Sequence, residues 1–560
     1  MTGHALSRIR TLLAAVLVVA ALALVGCGSG GDDGHQPGNG QPTPGGTYNF
    51  PLGADPVYLD PLNGNYESEG TQVQHQIFEG LVKYELQKDG SMKAVPCIAE
   101  SWKVSRDARV FTFTLKHGVL FQPPVSREVK AADFVASWNR VTDPRNGSLT
   151  SYVLAPILGC GDGGYRTQPR SILPGVRALD DYTLEVTLRY PFAEFALTLG
   201  HAMAAVTPVD YIDTIGEKAF NKRPVGTGPY MVQQWVHNQK VELVKNPDYW
   251  DKANAGLVDR IHMPVIPDTY TMWLEFKKGD LDFTLVPPGM VIASENDPKV
   301  KSGEWTARRW PRLSTAFVGI NMTDQVLGYP AGDTGAKLRQ ALSRAADTNA
   351  VVTVVNQGVN LPATGIVPVG VPGFRKDQFL YQYDPEKAKQ TFTEFGPVPS
   401  LQMWYATDNT NQKIAEVLQA GWRAAGVDTL LRNFEFGTFL AKLSRGDTSS
   451  ADQLFVTGRA CDYPSMDNFL YPLFQSQQAR SGSYTFYNSP KVDEILVTAR
   501  STVDDKQRWN LYAEAEKMIL ADAPCIPLFF YRDFRLMNNR VLGQAWNPMG
   551  FVDMWKVWVK

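Results

Sequence analysis

"PVGTGPYMVQQW", Pro224–Trp235, is followed shortly by "VKNPDYW", Val244–Trp250. Gly226 and Gly228 flank Thr227, and Pro229 closes the run, which spells a turn. The glycines are too few for the G-x-G-x-x-G loop of a dinucleotide site. After the turn, "YMVQQW" reads as a strand. The stretch therefore belongs to a β-rich scaffold, not to a phosphate cradle.

Strands and helices are legible on both sides of it. "RVFTFTLK" alternates Phe111, Phe113 and Leu115 with Thr112 and Thr114, and "YTLEVTLR" alternates Leu184, Val186 and Leu188. Period-two patterning gives a strand one buried face. "YDPEKAKQTFTEFG" carries Asp384 as helix N-cap, Pro385 in the first turn and Gly396 as stop. "LQMWYA", a helix around Ile414, Val417, Leu418 and Trp422, then Gly426 and "VDTLLRNFEF" predict strand–helix–strand. Leu511, Ala515, Met518 and Ile519 form a core stripe on a helix near the end. The chain is α/β throughout, without an internal repeat.

Its 560 residues exceed one hydrophobic core, so two to four domains are expected. A hydrophobic content of 44% and a charged content of 20% fit a soluble globular protein. The net charge of −2 and the lack of a long basic block give nucleic-acid binding no electrostatic support. The many aromatic residues suit either a large core or a ligand site.

The N-terminus reads as an address. Arg8 and Arg10 precede the apolar run "TLLAAVLVVAALALVG", Thr11–Gly26, the pattern of a secretory signal and too short for a membrane span. It ends in Leu24-Val25-Gly26-Cys27, which resembles a bacterial lipobox, so Cys27 is the expected lipidation site. The Gly- and Pro-rich Gly28–Gly46 segment has no apolar side chain to bury other than proline, and reads as a flexible tether. A protein exported and anchored on a membrane face is implied. Outside the cytoplasm, the four remaining cysteines, Cys97, Cys160, Cys461 and Cys525, suggest disulfides in one of three pairings, with free buried thiols as the alternative.

Catalytic motifs are missing from the sequence. It contains no HExxH, no GxSxG and no P-loop. His4, His35, His75, His117, His201, His237 and His262 are scattered without metal-ligand spacing. Asp180-Asp181 and Asp504-Asp505 read as turns or caps. No enzyme, metal or cofactor is expected. "LFVTGRACDYPSMDNFLYPLF", Leu454–Phe474, instead starts as a strand and breaks into acids, aromatics and prolines, with Asp462 beside Cys461 at the break.

Five stretches in order resemble the oligopeptide/dipeptide-binding family (family 5) of extracytoplasmic solute-binding proteins of ABC importers. They are "LDPLNGNYESEGTQVQHQIFEGLVKYE", "PCIAESWKVSRDARVFTFTLKHGVLF", the "PVGTGPYMVQQW…VKNPDYW" pair, "VGINM…KLRQALSRAADTNAVV…GVNLPATGIVP" and the Leu454–Phe474 segment. The resemblance implies a two-lobed periplasmic-binding-protein-like fold (type II, the larger peptide-binding cluster with an extra domain). By position, domain I would take residues 47–78, 223–312 and 529–560, domain II residues 79–222, and domain III residues 313–528. The favoured disulfides, Cys97–Cys160 and Cys461–Cys525, then each fall within one domain.

The last segment resembles the family's Gly-Trp-x-x-Asp-Tyr stretch. On that resemblance Gly458, Arg459, Ala460 and Cys461 would offer backbone pairing to an extended peptide, and Asp462 would hold its α-ammonium. Tyr66, Glu67 and Ser68 would pair with the peptide from the other lobe. Trp404 lies at a strand end where it could reach the cleft or pack in the core. Arg459 stands where the family often has Trp, and Ser465 and Met466 where many relatives have Asp-Pro. An Arg there can bind a ligand carboxylate, stack on a ring, neutralise Asp462 or point to solvent. The expected function is a monomeric, lipid-anchored receptor delivering oligopeptides to an ABC permease. The alternatives are a non-peptide solute such as an oligosaccharide, and, further off, an exported hydrolase.

Overall fold

Alternation becomes strand where it was expected. In the computed structural model, which describes residues 42–63, 68–148, 150–168, 171–444, 453–480, 482–544 and 546–560, Phe111, Phe113 and Leu115 are buried on one face of Val110–Leu115. The apolar leader and Cys27 lie outside the described residues. Val110–Leu115 pairs with Ala99–Val104 and Thr183–Thr187, and Val176–Asp180 completes a four-stranded antiparallel sheet. Val82–Leu86 and Met92–Pro96 form a hairpin.

The turn at Gly226–Tyr230 feeds a second sheet. Tyr230–Val236, Lys240–Lys245 and Arg260–Pro264 run antiparallel in that order, and Thr47–Asn49 joins the edge in parallel. The two glycines are required by close approach. A methyl group at Gly226 would lie 2.1 Å from the Ile77 carbonyl oxygen, and one at Gly228 would lie 2.6 Å from that of Gln76. The Gly228 N–H donates to the Ile77 carbonyl at 2.8 Å, so the turn caps the end of helix Ser68–Ile77.

Val541–Leu542 pairs with Trp558–Val559, and the remaining strands form a seven-stranded mixed sheet. Its order is Phe283–Leu285, Cys525–Asn538, Trp305–Ile320, Leu454–Ala460, Leu401–Ala406 and Thr429–Phe434, with Leu361–Pro362 added to Cys525–Asn538. Trp305–Ile320 and Cys525–Asn538 are long antiparallel strands whose register shifts between Pro311 and Thr315. The predicted strand–helix–strand is present: Leu401–Ala406 pairs in parallel with Thr429–Phe434 across helix Asn409–Ala424. Helix Pro385–Phe395 starts as read, with the Asp384 carboxylate accepting the Lys387 N–H at 3.0 Å.

The stripe read on helix Asp505–Asp522 is core: Ala515 and Ile519 are buried and Leu511 and Met518 pack half-buried against the same cluster, while Tyr512 and Glu516 are buried beside them. The helix buries polar side chains that meet buried partners, which an apolar stripe does not reveal. The disulfides Cys97–Cys160 and Cys461–Cys525 are not formed, and all four residues are free thiols. Each has its own surroundings: the Cys97 sulfur faces Glu79 at 3.6 Å, and the Cys461 sulfur meets the Tyr463 carbonyl at 2.8 Å. Burial pushes the Cys160 thiol up to about 12 and raises the other three as well, which keeps them protonated and inert.

Candidate functional site

Strand Leu454–Ala460 has two different edges. Along one it pairs with Ser314–Ile320 over its whole length. Along the other only Leu454 and Phe455 pair, with Met403 and Trp404. Among the described residues, the second edge of residues 456–460 has no strand partner. Gly458 and Ala460 are exposed and Arg459 is half-buried. Alternate residues of an antiparallel strand turn their N–H and C=O groups to opposite edges, so this stretch presents backbone groups to whatever lies beside it. Gly458 is tight on the paired side, where a methyl group would lie 2.7 Å from the Thr315 carbonyl oxygen.

Immediately after the strand the chain turns, and the Asp462 N–H donates to the Asn468 side-chain oxygen at 2.9 Å. Asp462 Oδ2 accepts from Arg459 Nη2 at 2.5 Å and from Asn468 Nδ2 at 3.2 Å. Its Oδ1 has no hydrogen-bond partner among the described residues. Arg459 thus takes half of the carboxylate. The group borders a cavity of ≈ 210 Å³ lined by Tyr152, Phe192, His201, Arg459, Asp462 and Arg500 among others. His201 Nδ1 accepts the Met203 N–H at 3.3 Å, and burial pushes the imidazole down to about 4, so it is neutral at pH 7.

Behind Asp462 lies a network that the sequence reading missed. Asp467, 0% exposed, accepts from Tyr463 Oη at 2.6 Å, Tyr512 Oη at 2.8 Å, and Arg500 at 3.0 and 3.2 Å. The Arg500 guanidinium also lies over the Tyr471 and Phe192 rings, at 3.7 and 4.4 Å from their centroids. Beside it, the buried Glu194 accepts from Ser465 Oγ at 2.7 Å and pairs with Arg508 at 3.3 Å. The Ala193 N–H donates to the Arg500 carbonyl at 2.7 Å. These contacts fix the segment around Phe192 against the segment after the strand, and the cavity sits between them. Ser465 and Met466, the departures from the family pattern, are buried here, and Ser465 Oγ also accepts the Asp467 N–H at 3.0 Å.

Glu194 has a measurable signature. Burial pushes its carboxyl up to about 7, outweighing the attraction of Arg508. The unfolded chain ionises this group near ~4.3. Between those values the unfolded state releases a proton that the folded state keeps, so unfolding free energy falls as pH rises. Glu516, which accepts the Ile366 and Val367 N–H groups and is also pushed to about 7, adds the same sign. Glu194→Gln should reduce the loss between acid and neutral pH by about 1–2 kcal/mol without abolishing it, measured by urea denaturation. An unaltered pH slope would remove Glu194 as its source.

Asp462, Arg459, Gly458 and Ala460 are therefore brought to one exposed edge and one cavity. Cys461 is partly buried, with its N–H donated to the Leu313 carbonyl at 2.9 Å. Trp404 does not line that cavity. It is 7% exposed and packs against Phe434, Phe439, Leu443 and Phe455. Ser68 begins helix Ser68–Ile77, while Tyr66 and Glu67 lie outside the described residues.

A second cluster gathers the quoted sequence stretches. Glu79 accepts from Tyr249 Oη at 2.7 Å, Trp250 Nε1 at 2.8 Å and Thr227 Oγ1 at 2.9 Å, with the Cys97 sulfur alongside. Side chains from "FEGL", "PCIAESW", "GTGPY" and "NPDYW" thus converge on one carboxylate. Its role is to join three distant segments of the scaffold.

Comparison with known proteins agrees with this architecture. A family model described as bacterial extracellular solute-binding proteins, family 5, middle region, matches residues 93–481. The chain is 28% identical over 525 residues to heme-binding protein A of Haemophilus influenzae, covering 90% of each. It is 27% identical over 538 residues to the probable di/tripeptide-binding protein 5 of Pseudomonas aeruginosa, covering 93% of this chain and 97% of that one. The solved structure of the periplasmic binding protein DppA from Helicobacter pylori in complex with the peptide STSA superposes with a TM-score of 0.73 at 25% identity, covering 93% of this chain and 99% of the other. The chain belongs to family 5 of the bacterial extracellular solute-binding proteins, and its fold is the mixed α/β, two-lobed fold of that family.

Proposed function

We propose that this solute-binding protein is an oligopeptide receptor that holds an extended peptide along residues 456–460 and passes it to an ABC transporter permease. The observation that carries the reading is a strand edge that, among the described residues, has no strand partner and ends at a carboxylate with one unbonded oxygen. Backbone pairing along such an edge is indifferent to side chains, so it supplies affinity without sequence preference. Asp462 Oδ1 then meets the amino end of the ligand. Named peptide-binding relatives and the peptide complex above support the same ligand class.

In this proposal domain I comprises residues 47–78, 223–312 and 529–560, domain II residues 79–222 and domain III residues 313–528. The long strands Trp305–Ile320 and Cys525–Asn538 cross the boundary between domains I and III, which suits them as the hinge for closure. A lipid on Cys27 and the Gly/Pro-rich tether hold the receptor at the membrane, in reach of its permease.

Asp462→Ala tests the anchor. Titration calorimetry with a mixed peptide pool should show affinity weakened by about 10–100-fold, because a partly buried ligand group loses its acceptor. Unchanged affinity would sink the anchoring role. Native mass spectrometry of the wild type with its carried-over ligand separates a peptide from a non-peptide solute.

A further inference from the structure

We infer that Arg459 makes the amino-terminal subsite electrically neutral, so that the receptor accepts peptides with an acylated, uncharged amino end about as readily as peptides with a free ammonium. This rests on the peptide reading above and specifies its substrate class.

The charges of the cavity carry the inference. Among the described residues lining it, the charged side chains are Arg459, Asp462 and Arg500. Arg459 is bonded to Asp462 Oδ2, and Arg500 is bonded to the fully buried Asp467 behind the wall. His201, the remaining titratable base there, is neutral at pH 7. Among the described residues, Asp462, Asp467 and Glu194 at this end each have a guanidinium partner. Both members of the Arg459–Asp462 pair are half-buried, with side-chain exposures of 24% and 14%, so solvent screens the pair only partly.

Asp462 Oδ1 still offers a hydrogen-bond acceptor. An amide N–H, as in an acylated amino end, satisfies it without bringing a charge into the cavity. An ammonium also satisfies it, but must leave water for a site whose negative charge is compensated by a guanidinium across the same carboxylate. Its Coulomb gain is reduced while its desolvation cost stands. Removing the guanidinium while keeping the carboxylate restores a net negative subsite and a preference for the ammonium.

The test uses the full protein and two probes: a lysine-free pool of di- to hexapeptides and the same pool after acetylation of its amino ends. Equilibrium dialysis read by mass spectrometry gives the ratio of acetylated to free dissociation constants. For the wild type that ratio should stay within about tenfold. Arg459→Gln should raise it by about tenfold or more, and Arg459→Lys, which keeps the charge, should leave it near the wild-type value. The ratio compares two ligands on one protein, so a loss of folded fraction cancels. A wild-type ratio above about a hundredfold, or an unchanged ratio in Arg459→Gln, overturns the inference and leaves the peptide reading standing. If neither pool binds, the peptide reading itself falls.

Discussion

Replacing Asp467 with alanine should lower the unfolding free energy by about 3–5 kcal/mol, seen as a lower urea midpoint. The side chain is 0% exposed, and both oxygens are engaged by Arg500, Tyr463 and Tyr512. Its loss leaves the Arg500 guanidinium among aromatic rings without a counter-charge, and leaves two phenolic hydroxyls without their acceptor. Ring faces compensate a cation only in part. Asp467→Asn keeps the volume and one acceptor but not the charge, and should fall between wild type and alanine. A loss below about 1 kcal/mol for alanine would show that Arg500 finds water or another acceptor. The change should also reach the ligand, because Asn468, next in the chain, both accepts the Asp462 N–H and donates to its carboxylate.

The sequence could not reveal this network, for a physical reason. Local patterns report on neighbours along the chain, and the alternation at Val110–Leu115 and the Asp384 cap are effects of that kind. Asp467 meets Arg500 33 positions away, and Ser465 meets Glu194 271 positions away. Nothing in either segment alone marks them as partners. The open strand edge was legible only through the resemblance, since an unpaired edge depends on where Leu401–Ala406 stops pairing. The Arg459–Asp462 contact spans three positions, and neutralisation of Asp462 was among the options open to an arginine there. The cysteine count misled because parity says nothing of geometry. Cys97, Cys160 and Cys525 are instead buried free thiols and Cys461 a partly buried one.

Glu79→Ala should cost about 3 kcal/mol, with no direct loss of ligand contacts. Thr227, Tyr249 and Trp250 would each keep a largely buried donor with no acceptor, in segments from separate parts of the chain. Glu79→Gln should cost much less, since its oxygen can accept from one pair of donors and Tyr249 Oη can turn to accept from its amide. The pH dependence separates the two causes. Burial raises the Glu79 carboxyl above its ordinary value despite three hydrogen bonds that pull it down. The folded state therefore keeps its proton to higher pH than the unfolded state, and the wild type loses stability as pH rises above the unfolded value. Glutamine and alanine both lack that ionisation, so both deficits relative to wild type should shrink by the same amount between acid and neutral pH, while the gap between the two variants, set by the orphaned donors, should stay constant. Urea denaturation of the three proteins at both pH values checks this. Equal deficits for glutamine and alanine would mean that the site holds its segments by charge alone. The expected outcome marks Glu79 as a residue that holds the scaffold where the quoted stretches converge, apart from the Arg459–Asp462 pair on which the proposed ligand subsite rests.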